Sequence, residues 1–371
     1  MEERVFFSSL PSSFSLKQKY KNMKRALYFL QRQVCKLLAM TICGFIWTSC
    51  DNILDNGYGD CSSEFRVKFK YDYNMKKADA FANEVKSVTL YFFDDNGEFV
   101  YQRTEQGDML AEGDYTMPVE VEPGDYHLVS WAGLEGEESF SVPILTEGVS
   151  TIDELTCRMN RENIARAEDG SAVVKNELKA LFHGEVTKQS FGSRAGRTEI
   201  ITVPLVKNTN DIVVNLQQYS DNLDMSQFEV KIMDDNGLMA YNNNLLTDET
   251  LTYMPYDTLT YTHIDGDGQA DITQISNVKA QLTVGRLLVD KNPRLIVTNK
   301  NTGSNVISIP LTECLVMGKP ETAACKNMSA QEYLDRQDLY NMTFLLDDNL
   351  KWVNTEININ GWVVRYNQIK F

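Results

Sequence analysis

Short runs in which apolar and polar residues alternate dominate the chain. Phe65, Val67 and Phe69 alternate with Arg66, Lys68 and Lys70, the period of a half-buried strand. Val88–Phe93 (VTLYFF) predicts a second strand. It leads into Asp94-Asp95-Asn96-Gly97, and Asn-Gly between apolar runs is a hairpin signal, with Phe99–Gln102 as the return. In Tyr126–Trp131 (YHLVSW) both faces are largely apolar, as in a strand buried on both sides. Further strands are expected from Leu181, then at Ile200–Leu205, Asp211–Leu216, Phe228–Met233, Thr258–His263, Val278–Val284, Arg294–Thr298, Val306–Leu311 and Met342–Leu346. Glu356–Tyr366 reads as the last strand, with a bulge at Gly361 where alternation breaks. Helical signals are few: Asp79 can cap a turn bearing Phe81, and Ser329-Ala330-Gln331-Glu332 is a capping box opening Ser329–Leu339.

This pattern predicts an all-β fold with few short helices. Gln189–Arg197 (QSFGSRAGR) lacks apolar periodicity and is the linker candidate, dividing a β-domain at 61–192 from another at 198–371. A second Asp-Asp-Asn-Gly at 234–237, again after a strand, hints that the halves resemble each other.

Ahead of the strands the pattern changes. Lys36–Cys50 (KLLAMTICGFIWTSC) follows a basic segment, runs from Leu37 to Trp47 without a charge, and ends on Thr48 and Ser49 before Cys50. Those are the parts of a secretory signal, and the apolar run is shorter than the ~20 residues that span a bilayer. The cysteine after small residues resembles a bacterial lipobox, which makes Cys50 the expected lipidation site. Residues 1–49 form the expected signal region; Met23, before Lys24 and Arg25, is the expected start, and 1–22 an extension outside it. Asp51–Asp60 (DNILDNGYGD) then serves as a flexible tether within 50–60.

Charge narrows the partners. Residues 1–49 hold eight of the 36 Lys/Arg and two of the 52 Asp/Glu, so residues 50–371 hold 28 and 50, a net charge of −22. Such a chain does not seek nucleic acid or an anionic membrane face by electrostatics. Four cysteines remain after Cys50, an even number in an oxidising compartment. Of three pairings, Cys61–Cys157 and Cys314–Cys325 are preferred, because each stays within one proposed domain.

The search for catalysis is mostly negative. His127, His183 and His263 belong to no metal-binding or catalytic spacing, and no phosphate-binding or nucleophile-elbow motif occurs. Asp265, Asp267 and Asp271 resemble a calcium loop but lack the distal acidic ligands, so a solvated acidic turn is the preferred reading. No cofactor is implied. Asp257-Thr258-Leu259 matches a short O-glycan acceptor pattern, noted without further weight.

Several longer segments recur together in order: Phe65–Met75, Asp79–Val85, Val88–Val100, Pro123–Leu134, Leu181–Val186, Val203–Leu216, Glu332–Asp347 and Ile359–Arg365. With the lipobox-like Cys50, this set resembles the FimB-type fimbrial anchor family, lipoprotein subunits of type V pili. The resemblance implies two tandem transthyretin-like β-sandwich domains and a non-catalytic anchor. Such an anchor is held in the outer membrane by acyl chains and joined to neighbouring pilin subunits by strand complementation. A tip or accessory subunit of the same family is an alternative. So is a surface glycan-binding lipoprotein, which would need an exposed aromatic platform; among Trp131, Trp352 and Trp362, two sit in apolar strand contexts that predict core.

Overall fold

A computed structural model describes residues 64–161, 166–192, 198–219, 223–265 and 273–365. The expected signal region, Met23, Cys50, the tether and Cys61 lie outside these residues, as do Asp267 and Asp271. All described residues belong to one compact unit, Ser62–Phe371. The all-β expectation holds: among the described residues, twenty-one strands accompany three α-helices of seven residues or fewer.

The first ten strands are β1 (Glu64–Lys70), β2 (Ser87–Phe93), β3 (Phe99–Gln106), β4 (Met117–Val119), β5 (Gly124–Ala132), β6 (Phe140–Ser141), β7 (Cys157–Met159), β8 (Ala172–Val174), β9 (Phe182–Phe191) and β10 (Thr198–Lys207). Seven of them form one sheet in the order β3-β2-β5-β9-β10-β1-β4. β10 pairs with β9 only over Leu205–Lys207, then runs parallel to β1 over its remaining length. The sheet thereby turns over on itself, and Phe65, Val67 and Phe69 of β1 share a core with Leu90, Phe92 and Leu128 of β2 and β5. Phe65 meets Phe191 edge to face at 5.0 Å. The corner needs a glycine: a Cβ on Gly184 would lie 2.7 Å from the Pro204 carbonyl oxygen and the Ser130 hydroxyl. Turn chemistry at Asn96-Gly97 is as expected, with Gly97 at φ +78° and the Asp94 carboxylate accepting from the Asn96 and Glu98 N–H groups. Asp79 likewise accepts from the Phe81 N–H at the start of the single helical turn α1 (Phe81–Glu84).

The remaining strands are β11 (Asn210–Gln218), β12 (Phe228–Asp234), β13 (Leu238–Met239), β14 (Leu251–Tyr253), β15 (Asp257–Asp265), β16 (Thr273–Val284), β17 (Arg294–Asn299), β18 (Ser304–Pro310), β19 (Leu339–Leu346), β20 (Trp352–Ile359) and β21 (Trp362–Arg365). With β8 they build a six-stranded sheet, β15-β16-β11-β19-β20-β21, and a five-stranded sheet, β18-β17-β12-β14-β8, while β13 joins β7 and β6 in a three-stranded sheet. Between these sheets lie Ile212, Val214 and Leu216, Val278 and Leu282, Met342 and Phe344, with Val230, Ile232, Leu295 and Ile307 opposite. Two helices complete the core: α2 (Leu311–Met317) contributes Leu311 and Leu315, and α3 (Ala330–Arg336) contributes Tyr333 and Leu334. The Ser329 hydroxyl accepts from the Glu332 N–H, the cap expected there, whereas the Glu332 carboxylate turns to Arg336.

Three expectations need correction. The boundary at 192–198 falls inside the first sheet, because β9 and β10 flank it and pair with each other; the chain changes sandwich at Asn208-Thr209 instead. The second Asp-Asp-Asn-Gly does not repeat the first, since β13 after it pairs with β7 rather than turning back on β12. Asn236 is fully buried there, bonded to the Tyr253 hydroxyl and the Arg286 carbonyl. Gly361 marks no bulge: with Asn360 at φ +51° and Gly361 at φ +87°, it forms a two-residue hairpin turn between β20 and β21.

The two sandwiches are not separable at one link. β8 runs parallel to β14, so a segment before residue 175 completes a sheet built after residue 208, and β13 in turn adds a strand from after residue 208 to the small sheet of β6 and β7. Tyr91, Phe93, Val129 and Trp131 belong to the same buried cluster as the second sandwich, which buries β2 on both faces. Polar ties add to this. The Met75 N–H donates to the Arg336 carbonyl at 3.1 Å, the Arg336 guanidinium sits 3.9 Å over the Tyr73 ring, and Lys207 reaches Asp338 at 2.6 Å and Glu84 at 3.4 Å.

Candidate functional site

The residues that could have carried chemistry do structural work. His127 pairs with Glu185 at 2.8 Å. His183 is buried against Trp131, its Nε2 2.6 Å from the Tyr241 carbonyl; burial lowers its pKa to about 4, which keeps it neutral. Arg161 lies between Asp248 and Glu249, and Arg166 also pairs with Glu249, a clasp between the two halves of the chain. Among the described residues no three His, Cys, Asp or Glu side chains come together to hold a metal ion. Asp265 closes β15, and the expected calcium turn lies beyond it, outside the described residues.

The cysteines correct another expectation. Cys314 and Cys325 are both buried and both free thiols, so the Cys314–Cys325 link is not formed here. Cys314 faces the core from α2, where burial pushes its thiol up to about 12. Cys157 is also free and wholly buried on β7, and its expected partner Cys61 lies outside the described residues. Sequence spacing pairs cysteines by domain; it cannot show that helix packing holds Cys314 inward.

What remains is sheet edges. An edge strand offers unpaired N–H and C=O groups, and proteins usually blunt it with brevity, proline or charge. β4 and β8 are three residues long, β4 contains Pro118, β21 has four residues, and β3 carries the paired Arg103 and Glu105. β15 differs. It is nine residues long, DTLTYTHID, without lysine, arginine or proline. Among the described residues β16 is its one ladder partner, and residues 257–262 are all exposed, including Leu259 at 52% and Tyr261 at 41%.

A cleft opens beside this edge. The β12–β14 ladder covers Ile232–Asp234 against Leu251–Tyr253, so Phe228–Lys231 of β12 pair with β17 but have no ladder partner on the other side among the described residues. After Tyr253 the chain leaves through Met254–Tyr256 to start β15. The space between is about 630 Å³, lined by Met225, Phe228, Val230, Met254, Pro255 and Tyr256, with Lys175, Glu229, Asp257, Thr258 and Lys300 at its polar margins. Alternation of residues marked β12 as a strand, but nothing local to the sequence shows where its ladder stops.

The sequence model for fimbrillin-A associated anchor proteins Mfa1 and Mfa2 matches residues 58–368. The chain belongs to that family. Among curated proteins, the minor fimbrium anchoring subunit Mfa2 of Porphyromonas gingivalis is 22% identical over 356 residues, covering 94% of this chain and 99% of Mfa2. A solved structure from Bacteroides thetaiotaomicron, described as a candidate adhesin, is 33% identical with a TM-score of 0.71, covering 84% of this chain and all of the other. A second from the same organism, described as a candidate polysaccharide-binding protein, is 33% identical with a TM-score of 0.67, covering 82% and 99%. The Mfa2 structure from P. gingivalis shares the fold at 17% identity, with a TM-score of 0.58 and coverage of 82% and 99%. Relatives of this anchor-protein family are thus fimbrial and adhesin-like proteins.

Proposed function

We propose that this member of the anchor-protein family is a non-catalytic lipoprotein that holds a fimbria to the outer membrane. Cys50 carries the acyl chains, the tether gives reach, and the two interlocked sandwiches transmit load to the next subunit. That subunit adds a strand along β15. The observation that carries the reading is the exposed run at 257–262, free of lysine and arginine, on a strand whose one ladder partner among the described residues is β16. Strand addition gains main-chain hydrogen bonds along such an edge, while alternate side chains give specificity. Interlocking suits the task, since pulling on one sandwich loads a shared core rather than a linker.

A glycan-binding role is less well supported. Trp131 is buried and Trp352 packs edge to face on Phe344, which leaves Trp362 as the half-exposed tryptophan. The test of the anchor reading is Leu259→Lys with Tyr261→Lys, which places lysines where edge strands commonly carry them. Both side chains are exposed, so circular dichroism and melting should be unchanged while fimbriae are lost from cells into the medium. Normal retention of fimbriae by a stably expressed double variant would contradict it.

A further inference from the structure

The two faces of β2 differ in character, and one of them ends in a polar cleft far along the first sheet. Val88, Leu90 and Phe92 face the core of the first sandwich, and Ser87, Thr89, Tyr91 and Phe93 share the other face. On that second face Tyr91 and Phe93 enter the core common to both sandwiches, whereas the strand begins on polar Ser87 and Thr89. Across on β3, Gln106 stands opposite Ser87, Thr104 opposite Thr89 and Gln102 opposite Tyr91. These residues line a cavity of about 250 Å³, whose walls include Leu134, Val142 and Ile144, the last 98% exposed at the rim. Among the described residues that line it, Glu135 alone is charged.

Packing does not account for Ser87. It is 3% exposed, and its hydroxyl has no hydrogen-bond partner among the described residues. A buried hydroxyl left unbonded is destabilising, so its presence in a cleft points to a ligand. The Thr89 and Thr104 hydroxyls bond to each other at 2.8 Å, which leaves each with further bonding capacity. Gln102 and Gln106 are exposed and carry amides that both donate and accept. Hydroxyls and amides beside apolar walls, with no cation, match a neutral ligand that presents hydroxyls and C–H groups together, which is the chemistry of a sugar. The volume falls below the ~300–1,000 Å³ of sites for drug-sized ligands, so it suits one ring rather than a chain. We infer that this cleft binds a single neutral hexose or N-acetylhexosamine ring, its hydroxyls on Ser87, Thr104 and Gln106 and its C–H face against Leu134 and Ile144. A flat tryptophan platform suits a polysaccharide chain; a cleft for one terminal ring needs none. The inference is independent of strand addition at β15.

The test titrates glucose, galactose, mannose and N-acetylglucosamine into the full mature chain bearing Cys50→Ala, with binding followed by saturation-transfer NMR. At least one sugar should bind in the millimolar range expected of so small a ligand, and glucuronate and galacturonate should not compete, because the cleft offers a carboxylate no cation. Ser87→Ala should weaken binding about tenfold, while the melting temperature holds or rises because an unbonded buried hydroxyl is removed. Gln106→Ala, at an exposed position, should weaken it in the same direction without touching the fold. Displacement of the bound sugar by the producing cell's own surface polysaccharide, or by the foreign glycoprotein ovalbumin, would each support the site and tell which source supplies the ring. Absence of binding by all four sugars, uronates that compete equally, or affinity unmoved by Ser87→Ala and Gln106→Ala would overturn the inference. A melting temperature lowered by Ser87→Ala would show the hydroxyl to be structural and overturn it as well.

Discussion

Asp234 gives the sharpest physical test of the fold. It ends β12 at the buried Asp-Asp-Asn-Gly, with one carboxylate oxygen accepting from the Asp235 N–H and the other without a partner in the structure. Burial is the main cause that raises its pKa from 3.8 to about 7, and the neighbouring Asp235 charge adds to it. The folded state therefore holds this proton more tightly than the unfolded chain. Its stabilising contribution is complete below about pH 3.8 and is lost as pH rises through about 7. At 1.36 kcal/mol per unit, the group should withdraw about 2 kcal/mol of stability between about pH 5.5 and pH 8.5. A carboxamide at this position cannot titrate, so Asp234→Asn should gain about 2 kcal/mol on the wild type over that interval in urea unfolding. The quantity to follow is the change in the difference between the two proteins, which cancels every other titrating group and any fixed cost of the amide. A difference that stays constant with pH would refute a buried, proton-binding Asp234.

Two further outcomes follow from packing. Trp131→Ala empties a fully buried site in the core common to both sandwiches and should cost about 3–5 kcal/mol while unfolding stays a single transition; two separated transitions would contradict the shared core. Cys314 and Cys325 should resist alkylation in the native protein and both react under denaturing conditions without reductant; unreactive denatured thiols would show a disulfide instead.

Strand positions were legible because each strand buries a face, and burial leaves alternation in the residues. Tyr126–Trp131 even showed burial on both faces, which the structure explains by a core on each side of β5, and it buries β2 in the same way. Connectivity was less legible. β8 and β7 are three residues each, too short for a period, yet they tie the two halves together. Asn360-Gly361 carried the hairpin signal, but the alternation that breaks there reads equally as a bulge; only the φ angles separate the two. Asp94–Gly97 and Asp234–Gly237 share one tetrapeptide with opposite surroundings. The first carboxylate, Asp94, is held below the usual range by its turn hydrogen bonds, and Asp234 is raised by burial. The β15 edge and its cleft depend on where a neighbouring ladder ends, which is a tertiary fact.

The claim that this chain anchors a fimbria through lipid is tested most directly by Cys50→Ala, with membrane and medium fractions assayed for both the protein and fimbriae. Each buried methylene contributes about 0.8 kcal/mol, so several acyl chains hold where the acidic chain itself has no attraction to anionic lipid. The account predicts that the variant leaves the membrane fraction folded and that fimbriae appear in the medium with it. A variant that stays in the membrane fraction, or one released while fimbriae remain on the cell, would contradict it.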